Sequence, residues 1–337
     1  MSNRGKWFCV FFLCLTLLLI DVRAVVVIKM GTQAPKGSAW EQILAEMAFK
    51  WKQETQGGVQ LKIYAGGVVG DEGDMIRKMR IGQLQAVAVS DAGLADIDSS
   101  AFALMIPLMF QGYDDWDFVR ERINPEMEMR LADKGFTVLT WSDVGWVHFF
   151  SKQRLLTPRD LERMQLAASS TQPRTVEILR WAGFSPVPIP TSELVTGLKT
   201  GLINAFYVPV IFAEASNLYR DAPNMNGMRW APLQGALIIR NEDWHRIPAQ
   251  YQPRLGEIAR EVGTRLREET REREKASLEA MIARGLTVWQ PDSNALAEWK
   301  KKAEAAYPRV REQLVPAELF DRVQSLVTEY RSQHAAP

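Results

Sequence analysis

Two octets constrain the fold more than any other feature of this chain. Gly82-Gln83-Leu84-Gln85-Ala86-Val87-Ala88-Val89 and Gly201-Leu202-Ile203-Asn204-Ala205-Phe206-Tyr207-Val208 follow one rule. Each runs glycine, one residue, Leu or Ile, a polar residue, alanine, then an apolar stretch. The glycine suits a left-handed helix stop, and the apolar stretch reads as a buried strand. The elements ahead of each octet also match. Before the first lie a strand at Val26-Val27-Ile28-Lys29-Met30, a loop over residues 31–38, and a helix with Trp40, Ile43, Leu44, Met47 and Trp51 on one face. A strand ending at Tyr64 follows, then a helix capped by Asp71, with Asp74 three residues on and Met75, Ile76 and Met79 as its stripe. Before the second octet, Met164-Gln165-Leu166-Ala167 reads as a strand, and Thr171-Gln172-Pro173 as a helix start carrying Val176, Ile178 and Leu179. Residues 186–189 are extended, and 192–199 form another helix. Strand and helix alternating in this way predict a parallel sheet with crossover helices, built twice.

The amino terminus stands apart from this pattern. Arg4 and Lys6 precede an apolar run over residues 7–20, and Val22 and Ala24 supply small or apolar residues at a cleavage position. That is the layout of a secretory signal peptide over residues 1–24, cleaved near Ala24, and the run is short for a membrane span. Both cysteines, Cys9 and Cys14, would leave with it, which excludes a disulfide scaffold, a thiolate nucleophile and a cysteine metal site. Three basic residues and Asp21 leave as well, taking the net charge from +1 to −1. Nothing in that balance points to nucleic acid or an anionic membrane. The remaining chain of about 310 residues is more than one core usually holds, so two domains are expected. Beyond residue 253, Leu255, Ile258, Val262 and Leu266 keep helical spacing, but residues 267–275 are almost wholly charged. A helix without an apolar stripe in its middle reads either as one crossing open solvent between two bodies or as an ordinary solvated face.

The stretch "YAGGVVGDEGDMIRKMRIGQL", residues 64–84, comes within one residue of a dinucleotide fingerprint. Pyrophosphate binding needs bare N–H groups at a positive helix end, and Asp71, Glu72 and Asp74 occupy that end here. Their charge repels phosphate, so no nucleotide cofactor is expected. The three histidines, His148, His245 and His334, lack metal-ligand spacing, and the Asp71–Glu72–Asp74 group is better explained as a helix cap than as a calcium site. Ser169, Ser170 and His148 offer a formal Ser/His hydrolase, and a serine pair at a strand end also serves as a hydrogen-bonding wall.

The segments "MGTQAPKGSAWEQILAEMAFKWKQETQGGVQLKIYAGGVVGDEGDMIRKMRIGQLQAVAVS", "DLERMQLAA" and "PTSELVTGLKTGLINAFYVP" resemble the solute-binding proteins of tripartite ATP-independent periplasmic (TRAP) transporters, of the dicarboxylate-receptor type. The resemblance covers nearly all of the chain after the signal segment. It implies a two-domain α/β fold of the periplasmic-binding-protein kind, with a ligand cleft between the domains and a long helix spanning both. Residues 25–147 with about 233–275 would form one domain, and 148–232 with about 276–330 the other. It also implies a periplasmic protein that binds and does not catalyse, without cofactor or metal. Such a protein closes by a hinge on a small organic solute and delivers it to membrane permease subunits, and a homodimer is a further possibility. The competing readings are a secreted hydrolase using the same cleft and a ligand-sensing receptor for a membrane signalling partner.

Ligands of open α/β sheets sit at the carboxyl ends of the strands. The expected ligand-binding residues are therefore Gln33, Glu72, Ser90, Trp146, Val147, Ala167, Ser169, Phe206, Tyr207 and Val208. Here the chain departs from the family it resembles. Family members commonly carry a carboxylate-clamping arginine where this chain has Ala167, and often a second at Val147. Val208 replaces an asparagine, and Phe206 and Tyr207 replace a polar pair. A buried carboxylate without a cation costs several kcal/mol. The expected ligand is accordingly an apolar or aromatic solute with a single polar end, not a C4-dicarboxylate. Two alternatives are that Arg174 or Arg240 replaces the clamp, or that a ligand amine faces Glu72.

Overall fold

The computed structural model describes residues 25–171 and 173–334. The signal-peptide segment lies outside the described residues, as does Gln172 at the expected helix start. Ten strands form one sheet: β1 (Val26–Thr32), β2 (Val59–Tyr64), β3 (Ala86–Ser90), β4 (Phe136–Ser151), β5 (Leu166–Ser169), β6 (Pro186–Ile189), β7 (Ala205–Pro209), β8 (Asn224–Asn226), β9 (Ala231–Arg240) and β10 (Thr287–Trp289). The helices that matter for the site are α1 (Ala39–Glu54), α2 (Glu72–Arg80), α3 (Tyr113–Asp133), α4 (Pro173–Trp181), α5 (Leu194–Thr200), α6 (Val210–Ala215) and α7 (Gln252–Ala283).

The duplication read from the octets reappears in the strand pairing. In the first half β1 lies between β2 and β3 and runs parallel to both. In the second half β5 lies between β6 and β7, again parallel to both. Ala86 and Ala205, the alanines of the two octets, open β3 and β7. Gly82 and Gly201 adopt φ of +75° and +78°, the left-handed stop that the shared pattern requires and that a side chain would resist. Two long strands join the halves. β9 runs antiparallel to β3, β4 runs antiparallel to β7, and β4 and β9 pair with each other from Phe136↔Arg240 to Val147↔Ala231. Their register slips between Val138 and Thr140 and again between Asp143 and Gly145, where the ladder bends from one half into the other.

Each half packs helices on both faces of its part of the sheet. One face of the first half buries Met75, Met79, Phe102, Trp116 and Ile123, and the other buries Ile28, Met47, Trp51, Leu237 and Leu255. In the second half the alternation of a strand sends neighbours to opposite cores. Phe149 joins Leu179, Trp230 and Trp299, while Phe150 stacks on Phe206 at 5.1 Å beside Ile189 and Tyr219. The fold is thus the two-domain α/β arrangement expected, with α7 packed on α1 at one end and on α6 at the other.

The charged middle of α7 does not cross open solvent. Thr270 is fully buried, accepts the Trp40 Nε1–H at 3.0 Å and donates to the Asp143 carbonyl at 3.1 Å. Arg271 donates to Asp143 at 2.7 Å and bidentately to Asp117 at 2.7 and 2.8 Å. Glu274 accepts the Trp146 backbone N–H at 3.2 Å and the Tyr113 hydroxyl at 3.1 Å. An apolar stripe is missing there because the inward face is fastened to β4 and α3 by hydrogen bonds and ion pairs.

Candidate ligand-binding cleft

The carboxyl ends of β1 and β3 face those of β5 and β7 across a cavity of about 260 Å³. That lies just below the usual range for organic-ligand pockets, about 300–1,000 Å³, and suits a small solute. Nine of the ten sequence-expected residues line it: Gln33, Glu72, Ser90, Val147, Ala167, Ser169, Phe206, Tyr207 and Val208.

Trp146 does not line the cavity, which corrects the sequence reading. Alternation along β4 points it away from Val147, into the core of the first half. There it is fully buried, edge-on to Tyr113 at 6.0 Å, with the Arg229 guanidinium 5.4 Å from its ring centre.

The walls are mostly apolar. Beyond the expected residues, Phe102, Met105, Ile106, Ile178, Trp230 and Leu233 contribute. Polar groups come from both halves. Glu72, at the first position of α2, accepts the Ser90 backbone N–H at 2.8 Å and the Ser90 hydroxyl at 2.7 Å. Burial drives the Tyr207 phenol above its ordinary range, which keeps it a neutral donor.

Among the described residues lining the cavity there is no lysine or arginine. Its ionisable carboxylates are Glu72 and Asp143, and Asp143 is ion-paired to both Arg120 and Arg271. Neither proposed substitute for the clamp reaches the site. Arg174 donates to the Ala95 carbonyl at 3.3 Å, and Arg240 is engaged by Asp243 and Glu242 at 2.5 Å each. The Ser/His pairing is not assembled either. His148 is buried outside the cavity lining, its Nδ1 is 3.3 Å from the Asn226 carbonyl, and desolvation lowers its pKa to about 4. The Ser169 hydroxyl is engaged by Asp71 and Thr171, each at 3.1 Å.

The sequence reading missed Asp143, Thr191, Trp230 and Asp71. Thr191 follows β6 as Ser169 ends β5, so the strand-end rule that found Ser169 also pointed to it. Asp71 is the N-cap of α2 in a capping box with Asp74, as the sequence predicts, and Asp74 accepts the Asp71 N–H at 3.2 Å. Its carboxylate also receives hydrogen bonds from Gln33, Ser169 and Thr191. Trp230 carried no local signal, because its place depends on the return of β9 beside β4.

Residues 30–313 match the family model described as bacterial extracellular solute-binding protein, family 7. The chain belongs to this family. It is a TRAP-type solute-binding protein. Among its relatives is a solute-binding protein of Chromohalobacter salexigens, 24% identical over 268 residues, 79% of this chain and 78% of that one. Another is the ectoine-binding periplasmic protein of Halomonas elongata, 23% identical over 276 residues, 80% of this chain and 79% of that one. A solved TRAP periplasmic solute-binding protein from Ralstonia eutropha H16, with bound (S)-2-acetolactate, superposes with a TM-score of 0.84. It is 16% identical, and the match covers 90% of this chain and 99% of that one. Members of the family bind small solutes for transport and deliver them to membrane permease components. Among the described residues no helix is long and apolar enough to cross a membrane. Pairing of two copies finds no support among the relatives.

Proposed function

We propose that this protein captures a small solute with an apolar body and at most one polar or acidic end. It closes its two domains on that solute in the periplasm and passes it to a membrane permease. The residues proposed to bind are the nine that line the cavity, and export would follow cleavage near Ala24. The proposed domains are those read from the sequence, divided near Val147 on β4 and near Leu233 on β9.

One observation carries the ligand class. Where a carboxylate clamp would stand, the cavity presents Ala167, Val147 and Val208, and its lining contains no cation. A dicarboxylate placed there would lose its hydration without a counter-charge, at a cost of several kcal/mol. A solute with one polar end needs only the donors and acceptors of Gln33, Ser90, Ser169 and Tyr207. The names of two relatives support a second reading. Ectoine and (S)-2-acetolactate are small molecules with one carboxylate each, and such a group could be held by hydroxyl and amide donors without an arginine.

Native mass spectrometry of protein purified from its own periplasm tests this reading. A retained small ligand with no more than one carboxylate is expected, released unchanged on denaturation. A retained dicarboxylate would refute the ligand class, and a chemically altered product would favour an enzyme.

A further inference from the structure

The polar part of the cavity wall has a sign. Its ionisable carboxylates are Glu72 and Asp143, and among the described residues no lysine or arginine lines it. Asp143 is matched by Arg120 and Arg271. Glu72 accepts the Ser90 backbone N–H on one oxygen and the Ser90 hydroxyl on the other, which fixes the direction of its carboxylate. A side-chain carbon at Gly93 would stand 2.8 Å from Glu72 Oε2, so glycine at that position leaves room for the acid. Asp71 follows the glycine turn directly before Glu72 and adds a second carboxylate, with 5% of its surface exposed. Both acids sit at the amino end of α2, where the helix favours negative charge.

Asp71 also decides what its neighbours can offer a solute. Gln33 Nε2 donates to it at 3.2 Å, the Ser169 hydroxyl at 3.1 Å, and the Thr191 hydroxyl at 3.3 Å. The Thr191 backbone N–H reaches its two oxygens at 3.0 and 3.2 Å. A hydroxyl whose proton goes to a carboxylate has lone pairs left for other partners, and Gln33 keeps its amide oxygen as an acceptor. Ser90 is in the same position, because its proton goes to Glu72. The wall of Gln33, Ser90, Ser169 and Thr191 therefore presents mainly acceptors beside two acids. The Tyr207 phenol, which both donates and accepts, favours neither kind of partner. A solute carboxylate brought here would meet like charge in a poorly screened place, and a solute cation would meet opposite charge.

We propose that the polar end of the solute is a protonated nitrogen, an ammonium or amidinium group, held against the Glu72 carboxylate with Asp71 behind it. The apolar walls would then take the body of a small organic cation. This inference rests on the single-ended reading above and names the kind of end that the cavity accepts.

The test is isothermal titration calorimetry of ligand-stripped protein with benzylamine, benzyl alcohol and benzoate, which share one apolar body, and with succinate beside them. Benzylamine is expected to bind at least about tenfold more tightly than benzyl alcohol, because a bond between charged groups is roughly twice as strong as a neutral one. Benzoate is expected to bind more weakly than either. Glu72→Gln should bring the amine down to the affinity of the alcohol, whereas damage to the fold would weaken both alike. Should Glu72→Gln disturb α2, Ser90→Ala releases the carboxylate from its fixed direction and should narrow the same ratio. An alcohol or benzoate that binds as tightly as the amine, an amine that fails to bind, or an amine preference that survives Glu72→Gln would overturn the inference. Exclusion of succinate in that event would leave the single-ended reading standing, and tight binding of succinate would overturn both.

Discussion

The cavity and the junction just behind it treat charge in opposite ways. At the junction Asp117, Arg120, Asp143 and Arg271 meet where α3, β4 and α7 converge, and the Asp143 side chain is wholly buried. Each acid there faces guanidinium groups, so the charges are matched inside the chain. Beside it the ligand wall includes Val147, Ala167, Val208 and aromatic rings, with no cation among the described residues. Asp143 touches both regions, and its two arginines cancel the charge it would otherwise present to a ligand. Buried cations in this protein hold the crossing strand to the long helix. They are not offered to the solute.

The largest effect should come from breaking the junction. Asp143→Ala leaves Arg120 and Arg271 without their central partner, and removing one member of a buried ion pair costs about 3–5 kcal/mol. Urea denaturation should register that loss, whereas a change below about 1 kcal/mol would mean water already solvates the cluster. Next comes acid. His148 sits on β4 in the second half, buried and neutral, with its pKa lowered to about 4 from 6.5 by desolvation. The unfolded chain takes up a proton that the folded chain refuses. This contribution is therefore fully present above the unfolded value and is lost as pH falls through the window down to about 4. The loss amounts to about 3 kcal/mol. His148→Gln should flatten the urea midpoint against pH across that window, and an unchanged slope would assign the dependence to other groups.

A third experiment moves charge from one region to the other. Ala167→Arg supplies the cavity with the cation it lacks, and one charge-assisted hydrogen bond is worth about 1.5–3 kcal/mol. Calorimetric affinity for a C4-dicarboxylate should then rise by about tenfold to a hundredfold. No gain would indicate that the wall, and not the missing charge, excludes the acid. The smallest effect belongs to charges outside both regions. Arg265 pairs with Glu46 on an exposed helix surface, and Arg265→Ala should leave the melting midpoint within the scatter of replicate scans.

Much of this arrangement was legible in the sequence, for physical reasons that differ by region. The halves could be read because the glycine stops, alanines and apolar strands of the two octets carry local rules, and both octets fall where β3 and β7 begin. Strand-end logic found nine cavity residues because a parallel sheet places its carboxyl ends together. It failed at Trp146, where the alternation of β4, set by pairing with β9 and β7, sends that side chain into the core. The charged middle of α7 could be read from sequence only as solvated, because charge looks the same whether it faces water, as Glu272 and Lys275 do, or a buried partner. Only Asp117, Asp143 and Thr270 in place reveal which. Asp71 caps α2 with Asp74 as its sequence predicts, but a local rule does not reveal that Ser169 and Thr191, far along the chain, also donate to its carboxylate.

The most direct test of the central claim is isothermal titration calorimetry of the purified protein against two matched sets of solutes. One set holds C4-dicarboxylates, and the other holds uncharged or single-ended molecules of similar size with apolar bodies. The cation-free cavity predicts binding confined to the second set. Tight binding of a dicarboxylate, abolished by removing Arg174 or Arg240, would contradict it and show that a distant arginine enters the cavity when ligand is present.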